Sequence, residues 1–150
     1  MPSTYTNLLY HIVFSTKDRR PFINPKLRTE LHPYLGGIIT DAGGEALEIG
    51  GVEDHVHLLV KLPAILALSD ALRLIKSNSS KWAGEHPELV RAFAWQTGYA
   101  AFTVSKSQVP SVRKYIKNQD QHHRRRTFKQ ELVSLLEKHE IDYDRRYLWD

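Results

Sequence analysis

A chain of 150 residues with 41% apolar and 25% charged residues has a globular composition, which excludes a disordered protein and leaves little room for a second domain. It has no cysteine, so disulfides and thiolate metal sites are excluded and a reducing cytoplasm suits it. The net charge of +4, with a pI near 9.3, is compatible with nucleic acid without specifying it. A membrane span and a signal peptide are not expected: residues 58–68 are interrupted by Lys61 and Pro63, and no basic patch followed by an apolar run opens the chain.

In chain order, residues 5–16 are aromatic and β-branched and predict a strand. Asn24 and Pro25 offer an N-cap and a first-turn proline to a helix ending near Asp41, with Leu27, Leu31, Leu35 and Ile38 on one face. Gly43 and Gly44 close it and open a strand over 45–50. A tight connection at 51–54 leads to a strand over 55–62, stopped by Pro63. Ser69 is placed to cap a helix reaching Gly84, with Leu72, Ile75, Ser79 and Trp82 in one stripe. Residues 86–91 predict a loop, and 93–105 a strand with Gly98 as a bulge. Two helices follow, at 111–122 and 128–139, the second with Leu132, Leu135 and Leu136 inward; the aromatic tail 141–150 is expected to lie against the body.

This order predicts an α+β fold, a ferredoxin-like split βαβ with a four-stranded antiparallel sheet plus C-terminal helices. The expected organisation is one domain over residues 1–150, with a core at about 5–122 and a C-terminal helix and tail at 127–150.

Three groups of residues carry candidate chemistry. His55 and His57 sit two apart in a strand, so their imidazoles share one face and can share a divalent metal; the same spacing also describes two surface histidines. Tyr115, Gln119 and His122 fall at i, i+4 and i+7 on one helical stripe. A phenol one turn from an amide oxygen, flanked by Arg113, Lys114 and Lys117, suits attack on a phosphodiester, while the bland alternative is a packing tyrosine. Residues 113–126 hold Arg113, Lys114, Lys117, Arg124, Arg125 and Arg126, which read as a phosphate-contacting strip or as a solvated helix face. Lys17, Arg19 and Arg20 form a second basic group. Asp54 is assigned to the turn rather than to a histidine, and His11 to a backbone partner; His122 is given no role.

Five segments resemble, in order, the small single-tyrosine transposases of the insertion sequence two-hundred type. They are YHIVFSTK (10–17), GVEDHVHLLV (51–60) with its HUH triplet, KSNSSKW (76–82), WQTGYAAFTVS (95–105) and VRKYIKNQ (112–119). The tail from Phe128 resembles a subset that includes repeat-associated relatives. The resemblance implies a DNA transposase that cuts and rejoins single-stranded DNA with hairpin ends through a 5′-phosphotyrosine. Tyr115 would be the nucleophile, and His55, His57 and Gln119 the ligands of a magnesium or manganese ion. It also implies a homodimer with active sites shared between subunits, an arrangement that the short connection at 106–110 suits. No nucleotide cofactor is expected, as no GxxxxGK loop is present. Competing readings are an RNA-recognition module, a metal-dependent hydrolase, and a domesticated or non-catalytic hairpin-binding protein of the same fold.

Overall fold

The computed structural model describes residues 3–87 and 93–150. Four antiparallel strands form one sheet: β1 (Leu8–Ser15), β2 (Glu45–Val52), β3 (His55–Leu62) and β4 (Ala100–Thr103), in the order β2-β3-β1-β4. That order, with helices α1 (Pro25–Asp41) and α2 (Leu68–Gly84) crossing between strands, is the expected ferredoxin-like arrangement.

Alternation along the strands divides the molecule into two faces. Ile12, Phe14, Val56, Leu58 and Val60 point to one side and join Leu31, Leu35, Leu72 and Ile75 of α1 and α2 in the main core. His11, Val13, His55, His57 and Leu59 point to the other. There lie α3 (Val109–Lys117), α4 (Gln119–His122) and α5 (Phe128–Lys138). The register Val13↔His57 and His11↔Leu59 brings three histidines onto one patch of that second face.

Local sequence explains most element bounds. The Asn24 side chain accepts from the Leu27 amide at 2.8 Å and Pro25 opens α1. The buried stripe of α1 ends on Ile39 rather than Ile38. Ser69 does not cap α2: the helix begins at Leu68 and its N-cap, Ala67, makes no side-chain bond. The strand expected over 93–105 is short, with an isolated bridge Thr16↔Trp95 and then β4 alone. Backbone groups that a longer strand would pair are taken elsewhere. Lys76 Nζ donates to the carbonyls of Gln96 at 2.6 Å, Thr97 at 3.0 Å and Gly98 at 2.7 Å, and the Gly98 amide donates to Asp150 at 2.9 Å. Gly98 is therefore clasped by the tail and is not a bulge. The loop expected at 86–91 lies mostly outside the described residues.

The helix expected over 111–122 is two pieces. It starts at Val109, and Asn118, at φ −98° and ψ 23°, ends α3 and turns the chain into α4. Thr127 and Gln130 form a reciprocal capping box at the start of α5. Phe128, Leu132 and Leu136 are buried with Val13 and Phe102, and Tyr143, Leu148 and Trp149 of the tail rest on this group, while Tyr147 stays exposed. Among the described residues no helix is long and apolar enough to cross a membrane.

Candidate metal and nucleophile site

The second face of the sheet is not open. Phe128 and Glu131 of α5 lie over the histidine pair, and His55, His57 and Glu131 are all fully buried. Each imidazole is oriented through its Nδ1. His55 Nδ1 meets Asp54 Oδ1 at 2.7 Å, and His57 Nδ1 meets His11 Nε2 at 2.8 Å. Both pairings differ from the sequence-based expectation. Asp54 caps no turn with its carboxylate, and His11 is satisfied by a ring rather than by backbone.

With both Nδ1 atoms engaged, the two Nε2 atoms converge. Glu131 Oε1 lies 3.2 Å from His55 Nε2 and 3.0 Å from His57 Nε2. Gln119 Oε1 lies 3.1 Å from His55 Nε2, and His123 Nε2 is 3.0 Å from Gln119 Oε1 and 3.1 Å from Glu131 Oε1. Ligand atoms of His55, His57 and Glu131 all fall within 4.8 Å of one another. Two neutral-capable imidazoles, a carboxylate and an amide oxygen form a nitrogen–oxygen donor set, and the Asp54–His55 and His11–His57 contacts are the orienting bonds that metal-binding histidines use. The residues fit a divalent metal.

Glu131 falls outside the residues expected for the site. Its signal was nonetheless in the sequence: Phe128, Glu131, Leu132 and Leu135 fall at i, i+3, i+4 and i+7, so a carboxylate interrupts an apolar stripe. His123 gave no such signal.

Tyr115 reaches this cluster from α3. Its hydroxyl donates to Glu131 Oε2, and Gln119 Nε2 donates to the same oxygen at 3.2 Å. The Tyr115 ring lies 5.7 Å from that of His57 and 4.7 Å from that of His122, and Arg126 Nη2 is 3.5 Å from the phenol oxygen. The short connection before α3 thus does not keep Tyr115 from the histidine pair of its own chain. Close approach of α3 depends on Gly50 in β2: a Cβ there would stand 2.4 Å from the Ile116 carbonyl oxygen.

Electrostatics follow from burial and these bonds. Burial opposes a charge on His55, but hydrogen bonds and charges of Asp54 and Glu131 outweigh it and push its pKa up to about 9. For His57 burial wins over Glu131 and the pKa falls to about 4. Glu131 is held far below the carboxylate range, since bonds from His123, His55 and His57 overcome the cost of burial. Burial and the Glu131 charge raise the Tyr115 phenol above its ordinary value, with Arg126 opposing them.

The basic residues separate. Arg113 donates to the Leu47 carbonyl at 2.8 Å and is turned toward the sheet, and Lys117 faces Glu48 at 3.8 Å. Arg124, Arg125 and Arg126 line a groove of about 540 Å³ together with Arg19, Asp54 and His123. Lys17, Arg20 and Lys114 are exposed.

A four-stranded antiparallel sheet carrying a buried His-His-carboxylate cluster that could hold a metal ion, beside a helix-borne phenol, is the framework, and comparison with known proteins gives its family. The family model described as "Transposase IS200 like" matches residues 4–119. The ISDra2 transposase TnpA of Deinococcus radiodurans is 26% identical over 117 residues, which are 75% of this chain and 84% of that protein. The transposase for insertion sequence element IS200 of Salmonella typhimurium is 30% identical over 122 residues, 77% of this chain and 79% of that one. A solved REP-associated tyrosine transposase bound to a REP hairpin shares the fold, with a TM-score of 0.62 at 16% identity over 82% of this chain and 73% of that one. The chain belongs to the IS200-like transposase family, a family of DNA-cleaving enzymes. The matched segment ends at Gln119, so His123, Glu131 and all of α5 lie beyond it.

Proposed function

We propose that this chain, as a single HUH-type domain, cuts and rejoins single-stranded DNA by transesterification. Tyr115 is the nucleophile, and His55, His57, Gln119 and Glu131 hold a magnesium or manganese ion. The observation that carries this reading is the division of one carboxylate. Glu131 Oε2 accepts from the phenol, while Glu131 Oε1 stands 3.0 Å and 3.2 Å from the two imidazole nitrogens.

A divalent ion held there supplies Lewis-acid polarisation of a phosphate oxygen. The protein's own groups position the phenol. Tyr115 Oη forms a bond to phosphorus as the bond from phosphorus to the 3′-oxygen breaks, leaving a 5′-phosphotyrosine and a free 3′-hydroxyl. The phenol proton passes to Glu131, its nearest acceptor, and on through solvent to the departing 3′-oxygen, so one proton leaves and one arrives and the step balances. Arg126 offsets the carboxylate's charge at the phenol. A 3′-hydroxyl from another end then reverses the step on the tyrosine link, and no external energy source is needed.

The substrate proposed is DNA with hairpin ends, in keeping with the hairpin bound to the solved relative. Arg124, Arg125 and Arg126, with Lys114, Lys17, Arg19 and Arg20, are the proposed phosphate contacts. A homodimer is proposed as well; the meeting of Tyr115 with its own histidine pair favours sites completed within each chain over sites shared between subunits.

One observation favours a binding-only reading, in which a domesticated protein keeps the fold for hairpin recognition: α5 leaves His55 and His57 no exposed surface. A denaturing gel separates the two. With single-stranded DNA and manganese, the enzyme forms a covalent protein–DNA band that Tyr115→Phe abolishes. Binding without any adduct or cutting would support the domesticated reading, and cutting by Tyr115→Phe would indicate a hydrolase.

A further inference from the structure

We infer that the cavity between β4, α3 and the end of α5 is a subsite for one nucleobase of the strand that Tyr115 attacks. The inference rests on the nucleophile reading above and adds where the strand's base goes. The cavity holds about 510 Å³, within the range of roughly 300–1,000 Å³ usual for small-ligand sites. His11 and Phe102 line it from the sheet, Ser111 and Tyr115 from α3, Lys138 from the end of α5, and His139 from just beyond it.

Its chemistry differs from that of the other opening near the phenol. Arg126, on the edge of the basic groove, reaches Tyr115 Oη at 3.5 Å. The groove offers three consecutive arginines and suits phosphates. The cavity offers rings. The exposed His139 ring is stacked on buried Phe102 at 4.3 Å with 16° between their planes, so its outer face is the one left for a base, and the buried His11 ring stands edge-on to Tyr115 at 6.1 Å. Aromatic faces bind any base by stacking, and a single lysine at the rim matches the one phosphate that a nucleotide carries. A strand crossing Tyr115 thus lays its backbone along the arginines and turns one base into the cavity.

The test is a titration of the isotope-labelled full-length protein with thymidine 5′-monophosphate, read by amide and imidazole NMR shifts. Deoxyribose 5-phosphate and inorganic phosphate are the controls. The expected result is saturable shifts at Ser111, Lys138 and His139 that the base-free controls do not reproduce. Ser111→Trp, at an exposed position on the rim, should fill the cavity and weaken the nucleotide at least about tenfold while amides outside the cavity keep their positions. Shifts equal to those of phosphate, shifts mapping to another surface, or unchanged affinity in Ser111→Trp would overturn the inference. Because the titration reads binding, its outcome is separate from adduct formation. Nucleotide binding without an adduct would sink the nucleophile reading alone, and an adduct without nucleotide binding would sink the subsite alone.

Discussion

Glu131 binds the site together. It is fully buried and meets three imidazoles and a phenol, and the bonds from the imidazoles hold its carboxyl well below the usual carboxylate range. Removing it leaves the His55 imidazolium with Asp54 as its remaining carboxylate, and breaking a buried pair of this kind costs about 3–5 kcal/mol. Glu131→Gln should therefore lower stability in chelator and abolish the rise in melting temperature that manganese gives the wild type, as scanning calorimetry would show. An undiminished manganese shift in that variant would remove Glu131 from the ligand set. The histidines set a pH profile. Unfolded, His57 and His11 take protons below about 6.5; folded, burial keeps them neutral down to about 4 and about 3. Acid thus favours the unfolded chain, and their contribution is lost as pH falls below 6.5. His55 acts in reverse: its contribution is full below 6.5 and is lost as pH rises through about 9. Metal-free protein should be most stable near pH 6.5, with melting temperature falling toward about pH 4 and toward about pH 8, above which Lys76, held down to about 8 by burial, offsets the loss from His55; a profile that is flat between about pH 4 and pH 8 would contradict these assignments.

At the scale of elements, α3 and α5 deliver the chemistry to strands that hold the histidines. α3 lies close to β2 because Gly50 has no side chain. Gly50→Val should push α3 away, cost about 1–3 kcal/mol, and reduce adduct formation more than DNA binding. α5 is held at its start by the capping box, and Thr127→Ala should cost about 1 kcal/mol in a denaturant melt. What the sequence disclosed and what it hid follow from the range of the interactions. Strand alternation placed His55 and His57 on one face, and the Asn24–Pro25 start of α1 was legible because both signals are local. The partners of those histidines were not, since Glu131 lies 74 residues from His57 and His11 lies 46. The short extent of β4 has the same cause, because Lys76 and Asp150 take backbone groups of residues 96–98, just before it, from afar. The break at Asn118, which leaves Gln119 buried at the start of α4, has no proline or glycine to announce it.

For the molecule as a whole, the sheet separates a conventional core under α1 and α2 from a polar cluster under α3 to α5. The arginine groove is the broad surface from which DNA would approach that cluster. Charge reversal at Arg124, Arg125 and Arg126 should weaken binding and reduce the salt slope by about 1 for each phosphate that no longer meets a cation. Unchanged affinity would exclude the groove. Whether two chains share a site is read by mixing His57→Ala with Tyr115→Phe. Sites completed within one chain give no recovery of adduct, and partial recovery would show exchange of α3 between partners. The most direct measurement is the identity of the residue that becomes linked to DNA. Wild-type protein is incubated with single-stranded DNA and manganese, digested with nuclease and trypsin, and analysed by mass spectrometry. Cleavage after Lys114 and Lys117 releases the tripeptide Tyr115-Ile116-Lys117, which should carry a 5′-linked nucleotide on the phenol. Strand cutting with that tripeptide unmodified, or a nucleotide on any other peptide, would contradict the assignment of Tyr115 as the nucleophile.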